Sequence, residues 1–353
     1  MSLRRKFSVC SWTLCAGFGL VLQAAADDVL LIPGTTVKQA TGGRVKGTVQ
    51  SETPGEIVLK LGANNITVPI DQVVSVSYTG QPASMALAES NENGGQLDKA
   101  LELYKKAATE ASGKPFIEQA AKFKQTDVAT DLALADPAKA ADAVALLDAF
   151  VKAYPSTRHS TAAFENLARL QLQKGDYASV EKTLAAMEKL PRSGDRAAVL
   201  RAKISAKKGD YARAVTELDK LIKASPDGSP RQREAKLAKA ESLAGLKKFT
   251  EAEADLRAAI KSLDAEDVVA QSAAYNTLGD CLRAAGRPKD ALLAYLHTDL
   301  LYSKDREQHP RALAGIVQLW RELKRDDRAD EVQQRLKQDY PQSPWTNATK
   351  RNP

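Results

Sequence analysis

The chain has 353 residues, 43% of them apolar, with 51 Lys and Arg against 44 Asp and Glu and only three Cys. A net charge of +7 without any solid basic block argues against electrostatic binding of nucleic acid. With aromatics at only 5%, a large core must be built mainly from Ala and Leu, which suits close-packed helices better than a sandwich.

Arg4, Arg5 and Lys6, an apolar run from Val9 to Leu22 and Ala24-Ala25-Ala26 form the three-part layout of a secretory leader cleaved after Ala26. The apolar run is shorter than the ~20 residues a membrane span needs. Trp12-Thr13-Leu14 before Cys15 lacks the small residue that lipidation requires. Cleavage at this point lowers the net charge from +7 to +4, because three basic residues leave. It also removes Cys10 and Cys15, so Cys281 is left as a small buried thiol with no disulfide partner. No later run is apolar enough to span a bilayer, so an exported protein, periplasmic or extracellular, is expected.

Residues 27–80 hold five short segments rich in Val, Ile and Thr: Val29–Ile32, Arg44–Val49, Glu56–Leu61, Asn65–Ile70 and Val73–Tyr78. Pro33-Gly34, Gly42-Gly43, Pro54-Gly55 and Gly62-Ala63-Asn64 separate them. Alternation is clear in Ile57-Val58-Leu59-Lys60-Leu61, so a small, strongly bent antiparallel β-barrel is predicted. Val45-x-Gly47-x-Val49 and the ending at Val73 give it a resemblance to Sm-like or SH3-like barrels. The connection at Thr79-Gly80-Gln81-Pro82 is short and should hold the barrel close to the first helices.

From Ala83 the period becomes helical. Tyr275-x2-Leu278-Gly279 lies on one predicted helix, Gly286 in a turn and Ala291-x3-Tyr295 on a second helix. The same pairing of a turn residue with a small or apolar residue five positions on occurs at Gly95/Ala100, Ala135/Ala140, Gly175/Val180, Gly209/Ala214, Lys247/Ala252 and Lys324/Ala329. The turns recur every 34–40 residues, the mark of stacked helix pairs, each of which needs its neighbours to bury its apolar faces. In this phase and in the Tyr275–Tyr295 motif the chain resembles tetratricopeptide-repeat proteins. That resemblance implies a right-handed α-solenoid, here of about seven helix pairs over residues 83–345. Tyr154-Pro155-Ser156 and Tyr340-Pro341-Gln342-Ser343 resemble repeats of bacterial envelope proteins, the Tol-Pal-associated division coordinator and the outer-membrane assembly lipoproteins. The apolar helix carrying Leu292, Leu293, Leu296, Leu300 and Leu301 is expected to pack on two sides, and the tail over 346–353 is expected to be flexible. The fold class is thus α+β, mainly α.

No phosphate loop, His-Glu-x-x-His or paired-cysteine motif is present, and His159, His297 and His309 are far apart and read as surface or turn residues. Ser205-x-x-Lys208 is a chance match in a Lys-rich chain. No catalytic residue, metal or cofactor is expected, and the protein is not read as an enzyme. The resemblance places the first helix of each pair on the inner curve, where positions i, i+4 and i+7 share a face. Glu165, Arg169, Lys203, Asn276, Asp280, Arg283, Gln318 and Arg321 are the partner-binding residues so predicted. Arg283 and Arg321 would offer forks to a carboxylate of a partner segment. The expected function is an exported, non-catalytic protein–protein interaction scaffold of the cell envelope, binding a protein or peptide partner in its groove. The alternative is a cell-wall or glycan-associated structural protein whose β-barrel is the binding module.

Overall fold

The structure is a computed structural model, which describes residues 26–32, 34–191 and 193–349. The predicted leader, apart from Ala26, and the tail beyond 349 lie outside the described residues.

Strands β1 (Asp27–Leu31), β2 (Arg44–Glu52), β3 (Glu56–Leu61), β4 (Asn64–Pro69) and β5 (Val73–Ser77) form one antiparallel sheet in the order β4-β3-β2-β1-β5. The long strand β2 belongs to both halves and bends between them, with the register shifting between Val49 and Ser51. Gly47 lets β2 and β3 approach closely, since a Cβ there would lie 2.7 Å from the Lys60 carbonyl oxygen. Alternation places Val45, Val49, Ile57, Leu59, Ile66 and Val68 inside. That interior does not stop at the sheet, because Tyr78, Met85, Ala88, Tyr104 and Ile117 continue it as a single apolar core.

Among the described residues the helices form seven pairs: α1 (Ala83–Asn93) with α2 (Leu97–Glu110), α3 (Pro115–Ala135) with α4 (Ala140–Ala153), α5 (Ser160–Lys174) with α6 (Tyr177–Met187), and α7 (Gly194–Lys207) with α8 (Tyr211–Ala224). They continue with α9 (Pro230–Gly245) and α10 (Phe249–Ser262), α11 (Val268–Ala284) and α12 (Pro288–Leu301), and α13 (Gln308–Glu322) and α14 (Asp326–Asp339). A short α15 (Pro344–Ala348) closes the array. The molecule is therefore a small antiparallel sheet followed by an α-solenoid of helix pairs, the predicted fold class.

The predicted turn residues Gly95, Gly175, Gly209 and Gly286 all have left-handed backbone, and so do Lys247 at φ 62° and Lys324 at φ 57°. Five residues on, Ala100, Val180, Ala214, Ala252, Ala291 and Ala329 are buried where the two helices of each pair meet. The second pair departs from the pattern. Ala135 ends α3 with Asp136 in extended backbone, a 3₁₀ turn from Pro137 to Lys139 intervenes, and Ala143 rather than Ala140 is the buried small residue. Asp136 accepts from the Ala138 amide, and this local bond with the fixed φ of Pro137 makes the turn longer.

One expectation is refined and one corrected. Helix α12 packs on two sides, against α11 and α13, but its outward face is open: Leu293, Leu300 and Leu301 are 58%, 74% and 65% exposed. The tail is not free from Thr346 onward, since Thr346 and Thr349 are buried. Helix α15 rests on α13 and α14 and also reaches α3, so the end of the array meets the second pair.

Candidate functional site

The first helices touch from pair to pair, α3 with α5, α7 with α9, α9 with α11 and α11 with α13, and among the described residues the second helices make no comparable contacts. The array therefore curves with the first helices inside. Polar links run along this inner face from each first helix to the next. Lys124 of α3 bonds Glu92 of α1 at 2.7 Å, and Asn166 of α5 bonds Asp127 of α3 at 3.0 Å. Arg196 pairs with Glu165 at 3.3 Å, Arg231 with Asp195 at 2.7 Å and Lys203 with Glu234 at 3.1 Å. Arg311 of α13 grips Asp280 of α11 and reaches Glu241 of α9 at 3.6 Å, skipping one pair. Such a reach requires a tight inner curve. Long basic side chains bridge the first helices because those helices lie close, while the acids keep part of their surface in water.

The eight predicted partner-binding residues do not form one uniform surface. Glu165, Arg169 and Lys203 are partly exposed on the inner face, and Asp280 is exposed beside Arg311. Burial pushes the Glu165 carboxyl above its usual range, although Arg196 opposes this. Asn276 is fully buried and donates to the Gln308 carbonyl oxygen at 2.8 Å, so it joins α11 to α13 instead of facing a partner. The Arg283 guanidinium is taken by Glu322 at 2.5 Å and by Gln318, which fixes both predicted residues in one cross-helix contact. Arg321 donates to the Thr349 carbonyl oxygen at 3.0 Å and to Gln333, and thus fastens α15. The predicted open fork at Arg283 and Arg321 is corrected: both guanidinia already have acceptors within the chain.

Two inner-face residues escaped the positional rule. Arg311 lies about two turns before Gln318, the first predicted residue of its helix, and only the curvature shows that it spans two neighbours. Asp131 on α3 is pushed up to about 7, mainly by burial and then by Asp127, with Glu307 just before α13 and Glu92 of α1 adding to the rise and Arg169 opposing it. Glu307 can act on Asp131 only because the last pair approaches the second.

The histidine expectation also changes. His159 is buried and stacks on Phe123 with ring centroids 4.4 Å apart. His309 is buried between the Tyr340 hydroxyl at 2.7 Å and Asp299 at 2.8 Å. His297 alone is exposed, stacked on Tyr275. Among the described residues, no group of three or more His, Cys, Asp or Glu is placed to hold a metal, and no helix is long and apolar enough to cross a membrane. Cys281 is a buried thiol whose pKa burial pushes up.

The family model for the tetratricopeptide repeat matches residues 199–267 and 237–297, from within α7 to within α12. Over residues 199–297, therefore, the helix pairs carry tetratricopeptide-repeat sequence. Among solved structures the chain is similar to a tetratricopeptide repeat protein from Parabacteroides merdae ATCC 43184, at 14% identity over 75% of this chain and 97% of that one, with a TM-score of 0.46. It is also similar to PilW, a type IV pilus biogenesis factor, at 18% identity over 63% and 97% of the two chains with a TM-score of 0.40. A Rap protein complexed with Competence and Sporulation Factor aligns at 13% identity over 75% and 77%, with a TM-score of 0.47. No curated protein matches the chain.

Proposed function

We propose that this chain is an exported, non-catalytic scaffold of the cell envelope that binds an extended protein segment along the inner face of its helices. The observation that carries this reading is the continuous polar face from α1 to α13, where exposed acids such as Glu234, Glu241 and Asp280 alternate with bridging bases. An extended segment laid across several first helices can exchange these exposed, individually weak ion pairs for its own. Glu165, Arg169, Lys203 and Asp280 are the predicted residues left to meet it. Export rests on the leader pattern over 1–26, and the envelope on that pattern with the Tyr154-Pro155 and Tyr340-Pro341 repeat endings.

A second reading makes the sheet the binding module for a cell-wall polymer. It draws on the sheet's two outer strands, β4 and β5, each of which pairs with one neighbour only. One experiment separates the two. A photoreactive residue at Glu234 or Glu241 should capture a protein in intact cells, and one at Lys60 of β3 should not. Capture at Lys60 alone would transfer the function to the sheet.

A further inference from the structure

The two ends of the helical array meet at a seam where α15 lies on α3 and two side chains make polar bonds across. Helix α2 lacks a cap of its own, because Gln96 makes no side-chain bond to the first turn. Gln342 takes that role from the other end of the chain: its Oε1 accepts from the Leu97 amide at 2.7 Å and the Asp98 amide at 3.3 Å, and its Nε2 donates to the Asp98 carboxylate. Asn347 donates to the Ala135 carbonyl oxygen at 2.8 Å, at the end of α3 where carbonyls lack helical partners. On the opposite side α15 is tied to the last pair, since Arg321 and Gln333 both donate to the Thr349 carbonyl oxygen at 3.0 Å.

The seam differs in kind from the junctions along the array. Apolar clusters join neighbouring pairs of the solenoid, as when Ala240, Leu278, Ala291 and Ile316 share one core. At the seam the core of the first helices ends within residues 29–132, and the core of the last pair comprises Leu313, Ala314, Leu336 and Tyr340 with Val332. Neither reaches across. Parting the seam therefore exposes little apolar surface, whereas parting two pairs exposes a core. The seam is the weakest junction, and α15 leaves with the last pair.

We propose that Gln342 and Asn347 form a clasp that closes the solenoid into a ring, and that the ring opens at this seam to admit a partner segment to the inner face. The proposal rests on the inner-face reading of function. Closure brings the end of the array against the second pair, with α15 on α3 and Glu307 near enough to Asp131 to perturb it. In the proposed closed state the seam bars the lateral entry of an extended chain to the inner face.

The test uses the full chain with its native cysteines replaced by Ser and a reporter at Glu241→Cys. The probes are a polyethylene-glycol maleimide of about 5 kDa, comparable in bulk to a peptide segment, and N-ethylmaleimide as the small control. In the Gln342→Ala/Asn347→Ala variant, small-angle scattering should give a larger radius of gyration at unchanged helical ellipticity. The polymer should label Glu241→Cys several-fold faster, with the small reagent little changed. Tethering Asp98→Cys to Gln342→Cys with a bismaleimide before the reporter is unmasked should suppress polymer labelling. An unchanged radius in the alanine variant, or equal polymer labelling in tethered and untethered chains, overturns the clasp. Failure of photocapture at Glu234 and Glu241 would instead sink the inner-face reading, while scattering and labelling would still decide the ring.

Discussion

Tyr295 is wedged between glycines on two successive first helices. A Cβ at Gly279 would lie 2.8 Å from its ring and one at Gly315 would lie 2.7 Å from it. Gly279→Ala and Gly315→Ala should each cost about 1–3 kcal/mol in urea unfolding through overpacking, and the cost should shrink in a Tyr295→Leu background because both meet the same ring. Lys247 and Lys324 stand in left-handed backbone where the other repeats carry glycine, so Lys247→Gly and Lys324→Gly should raise stability by up to about 1 kcal/mol despite glycine's larger unfolded-state entropy. Asp131 adds a pH signature. Its pKa is raised from the ordinary 3.8 to about 7 in the folded chain, so the folded state holds the extra proton between these values. Stability should therefore fall as pH rises through that window, by at most roughly 1.4 kcal/mol per pH unit, and Asp131→Asn should flatten the slope. These turns were legible in the sequence because a five-residue offset is a local property. The burial of Asn276 was not, since Gln308 on another helix pair covers it.

At the scale of elements, one buried contact sets the sheet against the helices. Glu52 at the end of β2 accepts from the Tyr78 hydroxyl at 2.5 Å and pairs with Arg158, from the α4–α5 turn, at 3.1 Å. The Glu52 side chain is 0% exposed and that of Arg158 15%, and burial raises the Glu52 pKa even against the arginine. Removing one partner strands a buried charge, so Arg158→Ala should cost about 3–5 kcal/mol, and Glu52→Leu/Arg158→Met should recover most of it. Chemical denaturation of the two variants beside the parent checks this, and an Arg158→Ala chain as stable as the parent would mean that the pair is no strut. Strand alternation and the recurring turn phase made most elements readable from the sequence, and the structure adds Asp176, Asp210, Ser229 and Asp267 as caps of α6, α8, α9 and α11. The α3–α4 turn was misphased because a proline-led 3₁₀ turn can lengthen a connection without disturbing the apolar spacing around it. The strut was invisible for a simpler reason: Glu52 and Arg158 lie 106 residues apart.

For the whole molecule, a stack of repeats normally frays at its last pair, whose outer face has no neighbour. Here α15 and the clasp give that pair contacts on both sides, although Gln342 finds its partner Leu97 at a separation of 245 residues, beyond any periodic reading. Closure changes what the ends of the array should do. In an open solenoid the amides of α13 and α14 would exchange hydrogen faster than those of α9–α12, because end pairs open without disturbing the middle. In the closed ring these amides should exchange at rates close to the interior pairs. Replacing Gln342 and Asn347 by Ala should release α14 and α15 first and leave the sheet with α1–α3 protected, since the shared apolar core there owes nothing to the seam. Hydrogen exchange followed by mass spectrometry resolves these segments separately. Faster exchange over 326–348 in the variant, with no change over 27–132, is the expected pattern. Equal acceleration along all the pairs would mean that the ring's stability is global and that the seam is not its point of opening.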